Sequence, residues 1–252
     1  MASLREQLGA GRSVVGCFVQ IPHPLVCELL ADIEPGLDYL CVEGEHSGMN
    51  PETVQGLVAT ASLAGSPALV RVADNTPALI AGALDAGAAG VIVPRIDSGA
   101  EAAAAVRSTR YPPLGERGVG PGRAAGYGLA IGDYLARAND EILLAVQVET
   151  RAAVERLDEI LSVEGVDVVF VGPGDLAVSM GLPLGSGGML AATIDDVLAR
   201  SAAAGRATGI YSVTAEGARP WIERAIPLVL FGSDIGFLAG GARAALAALR
   251  GR

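Results

Sequence analysis

Two acidic side chains, Glu149 and Asp175, each follow an apolar run rich in valine, "ILLAVQV" and "VDVVFVGPG". They are separated by one predicted strand–helix unit, so neighbouring parallel strands would bring the two carboxylates together. Two carboxylates that leave positions open for water and substrate suit a hard divalent cation such as Mg²⁺ or Mn²⁺. The alternative is that both acids only cap helices, since Asp is a favoured N-cap residue. Spacing alone leaves both interpretations open.

The segment "VGPGD" precedes Asp175 and contains Gly172, Pro173 and Gly174. The two glycines let the backbone come close to a ligand, and a helix that begins there presents unpaired N–H groups. These features fit a seat for a substrate carboxylate. Gly-Pro-Gly is also an ordinary turn, so the motif by itself is weak.

Arg71 lies inside an otherwise apolar run, "PALVRV". A buried guanidinium needs a partner. One interpretation is an ion pair with a barrel acid such as Glu149. The other is a cation that stabilises negative charge on an enolate or alkoxide oxygen.

His46 is one of two histidines and follows the run "YLCVEGE". Its position after a predicted strand favours proton transfer over packing. Asp85 ends a predicted helix, "TPALIAGALDAG", where the helix dipole disfavours an acid. A tertiary partner would explain Asp85, although a solvated surface acid is the simpler interpretation.

These residues must be positioned by eight apolar, β-branched runs that alternate with segments of helical periodicity. This alternation over one chain predicts an α/β fold, a single (β/α)₈ TIM barrel covering residues 1–252. A doubly wound sheet is disfavoured because no GxGxxG follows the first strand. The predicted strands are 13–21, 39–45, 67–72, 90–96, 142–149, 166–173, 207–213 and 228–234, and the clearest predicted helices are 51–65, 76–87, 98–108 and 151–162.

The barrel prediction makes the polar residues at the strand ends candidates, because barrel sites lie at the carboxyl ends of the strands. In chain order they are Glu43, Glu45, His46, Arg71, Arg95, Gln147, Glu149, Asp175, Tyr211, Ser233 and Asp234. None of these positions is a lysine, which argues against a Schiff-base aldolase.

Composition excludes several classes of function. The net charge of −10 argues against a nucleic-acid partner. Apolar runs are broken by charges before 18 residues, and the start lacks the apolar core of a signal peptide, so no membrane span or export is expected. The cysteines Cys17, Cys27 and Cys41 show no CxxC spacing and cannot all pair, which favours a reduced cytoplasmic protein with structural cysteines.

Several motifs in the same order resemble the HpcH/HpaI family of metal-dependent class II pyruvate aldolases, which are related to 4-hydroxy-2-oxo-heptanedioate aldolase. The motifs are "EGEHSGMN", "LVRV", "ALDAGAAGVIVPRI", "RYPPLGERGVGPGRAAGYG", "VQVET" and "VEGVDVVFVGPGDLAVSMG", and they extend from about residue 10 to 240. The resemblance implies a (β/α)₈ barrel assembled as a homo-oligomer, a hexamer or trimer. It also implies that the C-terminal helix is exchanged between subunits.

The resemblance also assigns roles to residues. It implies a divalent metal (Mg²⁺, Mn²⁺ or Co²⁺) and small-molecule substrates, a 2-keto acid and an aldehyde. Glu149 and Asp175 would be the metal ligands, with Gln147 beside them. Arg71 would contact the keto-acid oxygen, and His46 with Asp85 would form the base dyad. The backbone of Gly172, Pro173 and Gly174 would hold the carboxylate, and Tyr211 would lie near the substrate.

Two segments depart from the family pattern. Glu43 stands where the family commonly has Asp, and the segment around Arg123 is closer to macrophomate-synthase-like relatives. The function predicted from the resemblance is a carbon–carbon lyase that cleaves or forms 4-hydroxy-2-keto acids through a pyruvate enolate. The alternative is oxaloacetate decarboxylation to the same enolate. A barrel that only binds is disfavoured by the intact set of metal, base and arginine positions.

Overall fold

The computed structural model describes residues 3–185 and 187–251. Eight parallel strands close into a barrel in chain order, with the last strand hydrogen-bonded to the first. The predicted (β/α)₈ barrel is confirmed, and each predicted run contains one strand. The strands are β1 (Val14–Val19), β2 (Tyr39–Glu43), β3 (Ala68–Arg71), β4 (Gly90–Val93), β5 (Leu143–Val148), β6 (Val168–Val171), β7 (Ala207–Ser212) and β8 (Leu228–Ser233).

Helices cover the outside of the barrel, and many begin at a side chain that caps the first turn. Asn50 accepts a hydrogen bond from the Thr53 N–H and Ser98 accepts one from Glu101. The helices are α1 (Leu4–Gln7), α2 (Pro24–Ala31), α3 (Pro51–Leu63), α4 (Pro77–Asp85), α5 (Gly99–Thr109), α6 (Ile131–Glu141), α7 (Arg151–Glu155), α8 (Leu157–Leu161), α9 (Pro173–Ser179), α10 (Met189–Ala203), α11 (Ala215–Glu223) and α12 (Asp234–Leu249).

The core has two layers that follow the alternation of side chains along each strand. In β5, Leu143 and Ala145 belong to the cluster inside the barrel, whereas Leu144 and Val146 belong to the layer between strands and helices. All four are fully buried. Because both faces of every strand are covered, the strands read as continuous apolar runs.

Two features of the loops bear on the site. The strand predictions extended past the observed strand ends, so Glu45 lies in the loop after β2 rather than in the strand, and His46 follows the strand as predicted. Arg95, two residues after β4, has a left-handed backbone with φ of 55°. Such a conformation is unfavourable for a residue with a Cβ and is most often found in turns and functional sites.

The last helix, α12, is exposed along almost its whole length. The exposed residues include five large apolar side chains, which are between 39% and 82% exposed: Ile235, Phe237, Leu238, Leu246 and Leu249. An apolar helix face of this kind usually meets another protein surface. Exchange of this helix between subunits stays a prediction.

No helix in the described part of the chain is long and apolar enough to cross a membrane. All three cysteines are free thiols in the interior. Burial, together with the charge of Asp234, raises the pKa of both Cys17 and Cys27 to about 12. The thiols are therefore protonated and unreactive, as expected for structural cysteines.

Candidate active site

A buried ion pair joins the carboxyl ends of β2 and β3, where the sheet register places Glu43 beside Arg71. Arg71 donates hydrogen bonds from Nε and Nη2 to Glu43 Oε2, with an Nε–Oε2 distance of 2.8 Å. The other oxygen, Glu43 Oε1, accepts the N–H groups of Glu45 and His46 at 2.7 and 3.1 Å. Glu43 therefore holds both the guanidinium and the loop that carries the histidine. Arg71 is paired mainly with Glu43, and with Glu45 as a second acid, and not with Glu149, the partner considered from the sequence.

The guanidinium of Arg71 is further packed against an aromatic pair. Its Cζ lies 4.6 Å from the ring centre of Phe18, and that ring lies 5.3 Å from the ring of Tyr211. Burial alone would lower the pKa of Arg71, but the hydrogen bond and charge of Glu43 raise it overall. Arg71 is thus a permanently charged cation in a fixed orientation.

A second polar pair, Gln147 and Glu149, stands at the end of β5. Gln147 Nε2 donates to Glu149 Oε2, and the Arg95 N–H donates to Glu149 Oε1 at 2.8 Å. A Cβ at Gly172 would lie only 2.9 Å from Glu149 Oε2, so the end of β6 needs glycine here. The first glycine of "VGPGD" is therefore explained by close packing against the carboxylate.

The acids of the site repel one another. Burial raises the pKa of Glu149, the bonds from Gln147 and Arg95 partly oppose this, and the charges of Glu45 and Asp175 raise it further. Burial likewise raises the pKa of Glu45, against the attraction of Arg71 and His46. Asp175 lies in the first turn of α9 and is exposed. Three carboxylates thus act on one another at this end of the barrel.

Two buried oxygens of the site lack a hydrogen-bond donor in the described part of the chain: Glu45 Oε2 and Gln147 Oε1. Glu45 Oε2 lies 3.3 Å from Arg71 Nη1 as an ion pair. No group of three or more His, Cys, Asp or Glu side chains among the described residues could by itself hold a metal. Glu149 and Asp175 with an amide oxygen nearby still fit Mg²⁺ or Mn²⁺, which keep waters and take few protein ligands. A bound cation would give these oxygens a partner and would reduce the repulsion among the acids.

His46 and Asp85 are not brought together within one protomer. His46 is exposed after β2, at the carboxyl ends of the strands, and its Nε2 lies 3.8 Å from Glu45 Oε2. Asp85 ends α4 just before β4 and therefore lies at the amino ends. There it pairs with the buried Arg117 at 2.7 Å. Glu45 is the carboxylate beside the histidine, and Arg117 supplies the tertiary partner that the position of Asp85 required.

The remaining predicted residues lie at the same end of the barrel. Tyr211 is near the end of β7, and burial raises its pKa, partly opposed by the charge of Arg71. Pro173 is the first residue of α9, so Gly174 and Asp175 supply the N–H groups of the first turn. Ser233 and Asp234 are structural. Ser233 caps α12, and Asp234 accepts the backbone N–H groups of the β1–α2 loop.

Sequence reasoning counted Glu43 and Glu45 among the strand-end candidates without giving either a partner, and it missed Phe18. The parallel register of β2 and β3 makes Glu43 the neighbour of Arg71. A charged residue at the end of each of two adjacent buried strands is the signal that predicts such a pair. Phe18 could not be found this way because it resembles any core aromatic residue.

Comparison with known proteins now identifies the chain. The HpcH/HpaI aldolase/citrate lyase family model matches residues 15–239. The chain belongs to this family. It is similar to the hydroxypyruvate/pyruvate aldolase of Roseovarius nubinhibens, with 40% identity over 98% of this chain and 96% of the relative. It is also similar to the 4-hydroxy-2-oxo-heptane-1,7-dioate aldolase of Shigella flexneri, with 38% identity over 96% and 91% of the two chains.

The same family accounts for the fold. The crystal structure of an HpcH/HpaI aldolase/citrate lyase family protein from Burkholderia cenocepacia J2315 superposes with a TM-score of 0.91, at 34% identity and 98% coverage of both chains. The predicted family and enzyme class are confirmed: the chain is an aldolase, a carbon–carbon lyase. Every one of the 18 basic residues is an arginine, so no lysine side chain is present to form a Schiff base.

Proposed function

We propose that this enzyme cleaves and forms 4-hydroxy-2-keto acids through a pyruvate enolate with the help of a divalent metal. The observation that supports the proposal is that possible metal ligands and a buried cation lie at the same end of the barrel. Hard oxygen donors stand at Glu149 and Asp175, and a fixed, buried guanidinium stands at Arg71. Enolate formation from a keto acid needs positive charge beside the keto oxygen, which this arrangement supplies.

Glu149 and Asp175 would hold the metal, with Gln147 beside them. When bound, a divalent cation supplies Lewis acidity toward the keto oxygen and the carboxylate of the keto acid. The backbone at Gly172 and Gly174 would receive the carboxylate. Mg²⁺, Mn²⁺ and Co²⁺ all suit oxygen donors of this type, and we propose that the metal is one of these three.

Arg71 would stabilise the developing enolate oxygen. Its guanidinium is already oriented by two hydrogen bonds to Glu43 and by the ring of Phe18, so it needs no rearrangement as negative charge develops on the substrate. Glu43 thereby acts as a positioning residue. The longer Glu side chain also reaches the amides of the β2–α3 loop.

His46 would accept the proton of the 4-hydroxyl group during cleavage, which releases the aldehyde and leaves the enolate. Its exposure at the mouth of the site gives it access to substrate. Asp85 would orient it only from a neighbouring subunit, because within one protomer the two residues lie at opposite ends of the barrel. We therefore include a homo-oligomer, trimeric or hexameric, in the proposal, and the exposed apolar face of α12 supports it.

The test is a panel of aldehydes with pyruvate, assayed after removal of metal by a chelator and after its return. We expect no aldol product without metal and recovery with Mg²⁺, Mn²⁺ or Co²⁺. Asp175→Ala should weaken metal binding and leave the circular dichroism spectrum unchanged. Full turnover by rigorously metal-free wild-type protein would rule the proposal out.

Oxaloacetate decarboxylation to the same enolate is the second candidate. One observation favours it: the described protomer offers His46 no hydrogen-bonded carboxylate, and loss of CO₂ needs no hydroxyl deprotonation. His46→Asn separates the two reactions. Aldol cleavage should fall by roughly 10²–10⁴-fold, the range for general acid–base catalysis, while decarboxylation should change less.

The substrates of both reactions would be small molecules, and the net charge of −10 argues against a nucleic-acid partner. Three buried, free thiols fit a reducing compartment, and we propose the cytoplasm as the location.

A further inference from the structure

The carboxylate of Asp234 joins the start of α12 to the end of β1. Asp234 is only 5% exposed, and it accepts the N–H group of Ile235 at 2.7 Å within its own helix. It also accepts the N–H group of Gln20 with both oxygens at 3.0 Å and the N–H group of Ile21 at 2.8 Å. Gln20 and Ile21 directly follow β1, at the carboxyl end of the barrel. The contacts that make Asp234 structural therefore fix the beginning of the β1–α2 loop.

The pairing of β1 with β8 is irregular at this point. The register shifts between Gly16 and Phe18, so that β8 has one extra residue there and Phe18 lies opposite Ser233. Gly232 lies in the extra stretch and has a left-handed φ of 59°. An extra residue in one strand bends that strand and re-aims the side chains that follow it. The irregularity thus brings Ser233 beside Phe18 and lets Asp234 reach the loop beyond β1.

Phe18, at this end of β1, lies against the cation of the site. Its ring centre is 4.6 Å from Cζ of Arg71 and 5.3 Å from the ring of Tyr211. Glu43 orients the guanidinium along its edge through two hydrogen bonds, whereas Phe18 packs on its face. A displacement of the end of β1 would therefore be passed on to the guanidinium.

We propose that Asp234 is a positioning residue for Arg71, because it holds the end of β1 so that Phe18 keeps the guanidinium in its orientation. This inference rests on the proposed role of Arg71 and extends it to a residue outside the contacts proposed for substrate and metal. The proposed metal ligands follow β5 and β6, so Asp234 should govern the chemical step more than binding of the keto acid. Stabilisation of an enolate depends on orientation, and a small misplacement of the cation is costly.

The first experiment measures exchange of the methyl protons of pyruvate in deuterated water with Mg²⁺, in wild-type protein and in Asp234→Asn. Asparagine keeps the size of the side chain but replaces one acceptor oxygen by an NH₂ group, which cannot accept the N–H groups of the loop. We expect kcat for exchange to fall by about 10–100-fold, as for a misplaced catalytic group, and KM for pyruvate to change less than about threefold. Unchanged kcat would overturn the inference. If Asp234→Asn does not fold, Asp234→Ser, whose hydroxyl is too short to reach the loop, replaces it with the same expected and contrary results.

The route through Phe18 is tested by a double-mutant cycle with Phe18→Leu. If Asp234 acts through Phe18, removing the ring also removes the effect of Asp234. In the Phe18→Leu background, Asp234→Asn should then lower kcat by less than about threefold. Independent effects would instead multiply, and a double variant whose loss equals the product of the two single losses would overturn the inference.

Asp38→Asn is the matched control at the other end of β1. Asp38 Oδ2 accepts the N–H group of Val15 at 2.8 Å, so this carboxylate also holds the backbone of β1, but at the amino end. We expect Asp38→Asn to lower Tm and to leave kcat for exchange within about twofold of the wild-type value, because distant sites act independently. An equal fall in Asp38→Asn and Asp234→Asn would show that any loosening of β1 impairs the site, and it would overturn the specific role of Asp234.

A measurement without turnover separates this inference from the proposed reaction. Fluorine NMR of protein labelled with 4-fluorophenylalanine reports on the four phenylalanines, and Phe18→Leu identifies the signal of Phe18. That signal should shift in Asp234→Asn and stay in place in Asp38→Asn. An unmoved Phe18 signal in Asp234→Asn would refute the positioning role. Wild-type protein that exchanges no methyl protons, with the shift of the Phe18 signal intact, would refute only the proposed reaction.

Discussion

At the scale of single residues, Glu43 explains why the site keeps its shape. It is completely buried, and both carboxylate oxygens are used, one by Arg71 and one by the amides of Glu45 and His46. Removing one partner of a buried ion pair typically costs 3–5 kcal/mol because the other charge is left unpaired. A single side chain thus links the enolate-stabilising cation to the position of the histidine.

Arg71→Lys keeps the positive charge but loses the planar fork that engages Glu43. We expect turnover to fall by on the order of 10²-fold or more, as for loss of an oxyanion donor. The direct measurement is exchange of the methyl protons of pyruvate in deuterated water, which reports enolate formation without an aldehyde. Near-normal exchange in a folded Arg71→Lys protein would show that Arg71 does not stabilise the enolate.

Metal and protons should compete for Glu149, whose pKa is raised mainly by burial. Because the pKa of Glu149 is higher in the folded protein than in the unfolded chain, its contribution to stability is complete when the pH is below the unfolded-state pKa, near 4.5. That contribution is lost as the pH rises through the folded-state pKa. A divalent cation binds the ionised form and removes this loss. The rise in Tm caused by Mn²⁺ should therefore be small at about pH 5 and larger at about pH 7.5.

Glu149→Gln is the matching variant. Without the ionisable group, the metal-free protein should lose less stability as pH rises over this range, and Mn²⁺ should raise Tm little at either pH. A Tm increase with Mn²⁺ that is equal at both pH values in wild-type protein would contradict the assignment of Glu149 as a ligand.

At the scale of elements, sequence periodicity located all eight strands because each is buried on both faces. It did not locate the strand ends, where hydrogen bonds to side chains replace the ladder, as at Glu43 and Glu45. The predicted helix 151–162 is interrupted at Arg156, whose φ of −107° and ψ of 20° separate α7 from α8. No Gly or Pro marks that break, so the local sequence gives no signal for it.

The candidate site was also predictable only in part. Because all eight strands are parallel, their carboxyl ends lie at one end of the barrel, and the sequence correctly placed Arg71, Gln147, Glu149 and Asp175 there. The same rule separates Asp85 from His46, since a helix that precedes a strand ends at the opposite side. The pairing of Arg71 with Glu43 required the sheet register, which the sequence alone does not provide.

A further prediction concerns the end of α11, where Ala225 has a φ of 55°. The N–H groups of Ala225 and Ile226 bond back to Ile222 and Trp221, the pattern of a Schellman turn that favours glycine. Ala225→Gly should relieve a left-handed strain of about 1–2 kcal/mol, against an unfolded-state cost of about 0.4–1 kcal/mol. We expect a net gain of roughly 0.5–1 kcal/mol, seen as a rise in Tm of about 1–4 °C.

Ala199→Gly is the control for this change. Ala199 is exposed in the middle of α10, where glycine costs about 1 kcal/mol, so the same substitution should lower Tm. A lower Tm for Ala225→Gly would mean that the turn does not hold Ala225 in the left-handed conformation.

At the scale of the whole molecule, two surfaces bear on the proposed function. The carboxyl ends of the strands carry the charged site, whereas α12 carries a row of exposed large apolar side chains. A net charge of −10 opposes association of copies, so an apolar contact is needed to hold an oligomer together. If Asp85 serves the site at all, it must do so across such a contact.

The last prediction tests this directly with Leu238→Gln combined with Leu246→Gln on α12. These side chains are 67% and 50% exposed in the protomer, so the change should not disturb its core. Sedimentation should show wild-type protein as an oligomer and the double variant as smaller species, with unchanged circular dichroism. Leu63→Gln, at an 84% exposed leucine that ends α3, should keep the wild-type mass. A double variant that sediments like wild type would show that α12 does not hold subunits together, and a monomeric wild-type protein would exclude Asp85 from the site.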